Sequence, residues 1–214
     1  MLSKIDELNT YEYIYSDKEV DALLEEYFDV MDISKEQKKE RIAISKQIRE
    51  SLLFLFTLVS TASEYGYTDK SYFLEQFRSN FAQVLLDHTN RTDYIDRYFA
   101  KVTQDIVDVT MSNFSGAIDY WVSDERAILI AGNEANSIEN YNELEEAKEN
   151  GYTMKEWRAE LDNRTRKDHR AISGTKIPID DYFQFEDCEM LYAHDVVNGT
   201  ARQNANCRCA CHYS

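Results

Sequence analysis

Apolar residues recur at steps of three and four along most of the chain from Asp17 to Asn150, the period of helices that each bury one face. The first such stretch, Asp17 to Val30, carries Val20, Leu23, Leu24, Tyr27 and Phe28 on one stripe. Ser34 followed by Gln37 has the form of a capping box. It opens a longer helix whose inward residues are Ile44, Ile48, Leu52, Leu55 and Val59, and Gly66 is placed to end it. Thr68 or Asp69 caps the next helix, striped by Phe73, Phe77, Phe81 and Leu85. A further helix is expected from near Thr92 towards Trp121, with Tyr98, Val102, Ile106 and Val109 in phase. Ser123, with Asp124 and Glu125 at the positive end of the dipole, starts another that runs to about Asn150, with Gly151 as its C′ residue. Its inward positions are Ile128, Ala131, Ala135, Ile138 and Tyr141, small enough in part to bring a neighbouring helix close.

Past Gly151 the helical period stops. Lys155-Glu-Trp-Arg-Ala-Glu-Leu, Lys176-Ile-Pro-Ile, Met190-Leu-Tyr-Ala and the closing Cys207-Arg-Cys-Ala-Cys-His-Tyr read as short strands. Polar turns with Gly174, Pro178, Asn198 and Gly199 join them. The expected fold class is therefore α+β: a mainly helical N-terminal part and a small C-terminal α+β domain of short strands. The boundary falls near 122/123, with a helical region over 1–122, a leading helix over 123–150 and a small module over 151–214. Such a module is marginal alone and needs the preceding helices or a metal ion to complete it. No internal repeat or low-complexity segment interrupts this pattern.

Composition narrows the function. The chain has 214 residues, 43% of them hydrophobic, so it can bury a core. Its six glycines and one proline agree with long helices. A formal net charge of −16 argues against general binding to DNA phosphates or anionic lipid. The stretch from Lys155 to Lys176 is more basic than acidic, which leaves room for a local contact to phosphate. The start shows no basic region followed by an apolar one, and the greasiest run, Leu52 to Val59, is about half the length a membrane helix needs. A cytosolic site of synthesis is expected, with the four cysteines as thiols or metal ligands.

Several motifs share an order. Trp157-Arg-Ala-Glu-Leu-Asp162-Asn-Arg164-Thr-Arg166-Lys-Asp-His169 is followed by Gly174, then Ile179-Asp180-Asp181-Tyr-Phe183, then Asn206-Cys207-Arg208-Cys209. Upstream lies Ala127-Ile-Leu-Ile-Ala131-Gly-Asn-Glu134-Ala135-Asn136. Over residues 124–212 this order resembles the phage Mu F-like head morphogenesis family of minor head proteins. Two departures stand out: Gly132-Asn133 where the family has Arg-Thr, and Ala193-His194-Asp195 where it commonly shows Pro before Gly or Asp. The resemblance implies a low-copy phage head (capsid) protein acting in procapsid assembly at or near the portal vertex. Portal, major capsid or scaffold proteins would be its partners, with phage DNA a further one through the basic patch and no membrane contact. It would start in the host cytoplasm and end in the virion, and some members of such families leave with the DNA.

The candidate chemistry lies in the last third. Cys207, Cys209 and Cys211 alternate, so a strand would put all three on one face. With His169 and Cys188 they offer the donors zinc prefers, although one-residue spacing is tighter than usual. The proposed set is His169, Cys188, Cys207 and Cys209, with Cys211, His212 and Asp162 as alternates. Small buried thiols in the last strand explain the same residues equally well, and a disulfide formed in the virion is a third reading. Asp162, Arg164, Arg166 and His169 gather titratable and cationic groups in one loop. They make either a fixed polar network or the acid–base site of a nuclease-like or toxin-like effector. No second acid or base stands at a fixed spacing, so an enzyme is the weaker expectation. Trp157 and Phe183 read as core anchors of the module. Glu134 reaches a loop arginine or stays solvated, and Glu143 to Glu149 reads as a solvated helix face.

Overall fold

In the computed structural model, which describes residues 15–89, 92–115 and 120–214, most of the helical stripes pack as their spacing dictates, although Leu23 of the first stripe is exposed and Tyr27 half-buried. Helix α1 (Asp17–Asp29) starts from a capping box between Ser16 and Glu19. Helix α2 (Lys35–Glu64) starts from the box at Ser34 and Gln37, in which Ser34 N donates to Gln37 Oε1 at 2.7 Å and Gln37 N to Ser34 Oγ at 3.2 Å. Gly66, at a φ of +71°, turns the chain after α2, and Asp69 caps α3 (Lys70–His88). The inward residues of α2 and α3 are buried as expected, with Phe77 and Phe81 stacked at 5.3 Å.

The expected helix from Thr92 to Trp121 is instead broken into pieces. It divides into α4 (Thr92–Tyr98), a π-helical turn (Phe99–Thr103) and α5 (Gln104–Asn113), and a 3₁₀ turn follows at Tyr120–Val122. A π turn inserts one extra residue and rotates everything after it by about 100°. Val109 consequently points outward, and Val107 and Thr110 are buried in its place. Arg78 and Thr103 both donate to the carbonyl of Phe99, which opens the π turn, at 2.8 and 2.5 Å.

Helix α6 (Asp124–Glu149), capped by Ser123, is the spine of the molecule, about 39 Å long at 1.5 Å per residue. It lies mainly along α2 and is buried over most of its length. Tyr27 of α1 sets its ring 3.3 Å from where a Cβ on Gly132 would stand, so that position has no room for a long side chain. Two ion pairs tie α2 to α6. Arg49 grips Asp124 with two 2.6 Å bonds, and Arg41 meets Glu143 at 2.8 Å. Glu143 is thus paired rather than part of a solvated face.

The C-terminal module wraps the far side of α6. Strands β1 (Met154–Arg158), β2 (Lys176–Pro178) and β5 (Ala210–Tyr213) form an antiparallel sheet in the order β2-β1-β5, with Trp157 opposite Cys211. Strands β3 (Phe183–Gln184) and β4 (Glu189–Met190) make a separate hairpin. Short helices α7 (Lys167–Ile172) and α8 (Ala201–Asn204) fill the connections. Fully buried Lys155 donates to the carbonyls of Ile179 and Leu191 at 2.7 and 2.5 Å, and Lys101 donates to that of Gly199 at 2.6 Å, fixing the loops to strand and helix. Among the described residues no helix is long and apolar enough to cross a membrane.

Glu139 of α6 gives the fold a pH signature. Burial pushes its carboxyl up to about 7, against the opposing charge of Arg41 and a 3.0 Å bond from Asn142. The folded state then holds a proton that the unfolded chain releases near pH 4.3. This group's contribution is greatest below that value and falls as pH rises towards 7. Glu139→Gln should therefore gain on the native sequence with rising pH, by about 1–3 kcal/mol at pH 8. Urea midpoints at pH 5 and pH 8 check this; an unchanged gap between the two proteins would sink it.

Candidate functional site

Asn206 adopts a φ of +56°, a conformation that asparagine tolerates better than most side chains. The turn it makes brings Cys207, Arg208 and Cys209 across α6 before β5 begins. Helix α6 receives this segment with three asparagines at positions i, i+3 and i+7, which share one helix face. Asn133 exchanges two bonds with Asn206: Asn206 N donates to its Oδ1 at 2.7 Å, and its own Nδ2 donates to Asn206 Oδ1 at 3.2 Å. Asn136 donates to the carbonyl of Cys207 at 3.4 Å, and Asn140 to those of Ala193 and Cys209 at 2.7 and 3.5 Å. The oxygens of Asn136 and Asn140 in turn accept from Arg41, both at 3.1 Å. A buried polar chain therefore runs from α2 through α6 to the Asn-Cys-Arg-Cys segment, with each amide satisfied at both ends.

On the outer side of that segment, α7 presents His169, which is 1% exposed. Its Nδ1 lies 3.4 Å from Cys209 Sγ and 3.6 Å from Cys207 Sγ. Its Nε2 lies 3.0 Å from Gln203 Oε1. The amide nitrogen of Gln203 donates to Asp168 at 2.8 Å and to Asp187 at 2.7 Å. Those two carboxylates oblige Gln203 to present its oxygen to His169, so the ring proton sits on Nε2 and the lone pair of Nδ1 faces the sulfurs. Trp157 and Phe185 cover the ring at 5.3 and 5.2 Å between centroids. The two thiols share their protons unequally. A bond from Cys209 holds Cys207 well below the usual thiol range despite its burial, helped by His169 and His194, and Cys209 is pushed well up.

Not every expected ligand joins this group. Cys188 sits in the β3–β4 turn, half-buried and outside the cluster. Cys211 is buried in β5 but also lies outside it, because the segment before β5 is not a strand and the alternation does not hold. His212 is at the surface beside Asp32, at 3.4 Å. Asp162 organises its own loop. It accepts from Arg164 N at 2.9 Å, from Thr165 N at 3.0 Å and from Arg208 at 2.6 Å. The bond from Arg208 foremost holds its carboxyl well below the usual range. Arg166 donates to the carbonyl of Ala205, and Arg164 projects into solvent.

Trp157 is fully buried, and Phe183 packs on it at 5.0 Å, the anchoring role read from their positions. Glu134 meets no loop arginine and is half-buried. It accepts from Tyr98 at 2.6 Å, and burial raises its pKa. Asn133, Asn136, His194 and Asp195 stand in the sequence motifs without an assigned role, and Asn140 and Gln203 lie outside them. Asparagine is a poor helix former, so three of them on one face of a long helix were the available signal. Asp195 orders the loop after β4, accepting from the backbone of Leu191, Val197 and Asn198 at 2.9 to 3.1 Å.

Comparison with known proteins places this geometry in context. A family model described as "Phage Mu protein F like protein" matches residues 90–212, more than half of the chain and starting upstream of α6. The NAD(+)–arginine ADP-ribosyltransferase EFV of Enterococcus faecalis (strain ATCC 700802 / V583) is 30% identical over 131 residues, which take in 54% of this chain and 26% of that protein. The chain thus spans about a quarter of the length of that curated relative. No solved structure matches.

Proposed function

The chain belongs to the phage Mu protein F like family, and from that membership we propose that it is a minor head protein acting in procapsid assembly at or near the portal vertex. The family match is the observation that carries this reading. The molecule's surface fits it. Three tyrosines, Tyr65, Tyr67 and Tyr72, stand exposed around the α2–α3 turn, 78%, 44% and 38% accessible, and tyrosine is a residue that protein interfaces favour. The helical half supplies the docking surface for portal, capsid or scaffold protein, and the C-terminal module is a fixed structural unit. The rival reading is an effector built on His169 with Asp162, Arg164 and Arg166. It finds less support: His169 is buried beneath two aromatic rings, and the lone pairs of Asp162 are engaged by Arg208 and its own loop.

Co-sedimentation of the tagged chain with procapsids assembled with and without portal tests the proposal. The expected result is portal-dependent incorporation at low copy, reduced when Tyr65 and Tyr67 are both changed to Ser. Protein that stays in the soluble fraction in both assemblies would overturn it.

A further inference from the structure

We propose that His169, Cys207 and Cys209 bind a zinc ion. Their donor atoms all lie within 4.8 Å of one another and all three side chains are buried. The two N···S distances fit two edges of a tetrahedron. With Zn–S about 2.3 Å and Zn–N about 2.0 Å, the N···S edge of a tetrahedral site is about 3.5 Å. The two N···S distances here are 3.4 and 3.6 Å.

The surroundings have the second layer such sites use. Metal-bound histidine commonly donates its other ring N–H to an oxygen that fixes the tautomer. Gln203 does this, itself held by Asp168 and Asp187, so the Nδ1 lone pair is committed towards the sulfurs before any ion arrives. Three protein donors leave one tetrahedral position. A cavity of about 20 Å³ borders all three and is lined also by Arg164, Thr165 and Asn206. That is space for a single water molecule as the fourth ligand. Zinc takes both sulfurs as thiolates, so the proton that the Cys207–Cys209 pair still holds leaves as the ion binds, and two thiolates remain on the ion. The ion would pin α7 to the segment before β5, joining parts of the chain that no backbone ladder connects.

The test uses the full chain, prepared under reducing conditions, exchanged free of loose metal and weighed by native mass spectrometry alongside elemental analysis. About one zinc per chain is expected in the native sequence and in Cys211→Ser, and below about a tenth in Cys209→Ser and in His169→Gln. Should those two variants fail to fold, cobalt(II) added to the demetallated native chain reads the same site. Thiolate-to-cobalt absorption with a tetrahedral visible band is the expected result, and zinc should abolish it. A native chain that takes up neither ion overturns the proposal. So does a chain lighter by two hydrogens from a Cys207–Cys209 bond, and so does zinc lost from Cys211→Ser as completely as from Cys209→Ser.

Discussion

Replacing Arg41 with alanine should destabilise the fold by about 3–5 kcal/mol. Its guanidinium is wholly buried and meets four acceptors: the carbonyl of Gln37, the amide oxygens of Asn136 and Asn140, and the carboxylate of Glu143. Truncation leaves Glu143 charged and half-buried without its counter-ion, and strands two buried amide oxygens. Each such orphan costs about 1–3 kcal/mol. A domain of ordinary stability holds only about 5–15 kcal/mol. Urea titration should therefore show a much lower midpoint with an unchanged slope. Changing Glu143 to Gln as well should recover part of the loss, because the uncompensated charge is then gone. A single-variant loss under about 1 kcal/mol would mean that the network is not what holds α2 to α6.

Trp157→Ala should be of similar size, about 3–5 kcal/mol. The indole is fully buried, with Phe183, Phe185 and the ring of His169 all within 5.4 Å between centroids. Alanine leaves a void between β1, the β3–β4 hairpin and α7, and rigid neighbours held by strand pairing can close it only in part. The imidazole loses the surface against which it stands, so the same variant should loosen the alignment of His169 with Cys207 and Cys209. A thermal melt followed by near-ultraviolet circular dichroism reads both effects. A Tm within a degree or two of the native value would contradict the packing described here.

Helix positions are legible in the sequence because α1, α2 and α3 each bury a stripe and α6, buried over most of its length, starts at the Ser123 cap and ends before Gly151, and those are local signals. The break at Phe99–Thr103 is not legible, since the periodic apolar residues continue straight through it. It goes with a bond from Arg78 of α3 to the carbonyl of Phe99, which Thr103 also meets from within the turn. The module shows the same division. Trp157, His169, Cys207 and Cys209 were recognisable as a group, but their spacing could not say which cysteine faces the histidine. That depends on a positive φ at Asn206 and on where β5 begins. Lys155 and Arg41 mislead for a different reason. Buried cations read as surface residues until the carbonyls and amides around them are known.

The asparagine face of α6 has a consequence for synthesis. A chain emerging from the ribosome can fold its N-terminal elements first. Asn133, Asn136 and Asn140 nevertheless find their partners in Asn206, Cys207 and Cys209, 69 to 73 residues later. Until those residues have left the exit tunnel, the amides of Asn136 and Asn140 are matched only on the side of Arg41, and the donors meant for the later segment have no carbonyl to meet. A nascent chain stalled before Asn206 should already hold α2 against α6 through Arg49–Asp124 and Arg41–Glu143, but leave the asparagine face of α6 uncovered. The closing segment then acts as a latch, turning a collapsed bundle into a fixed one when translation of that segment is done.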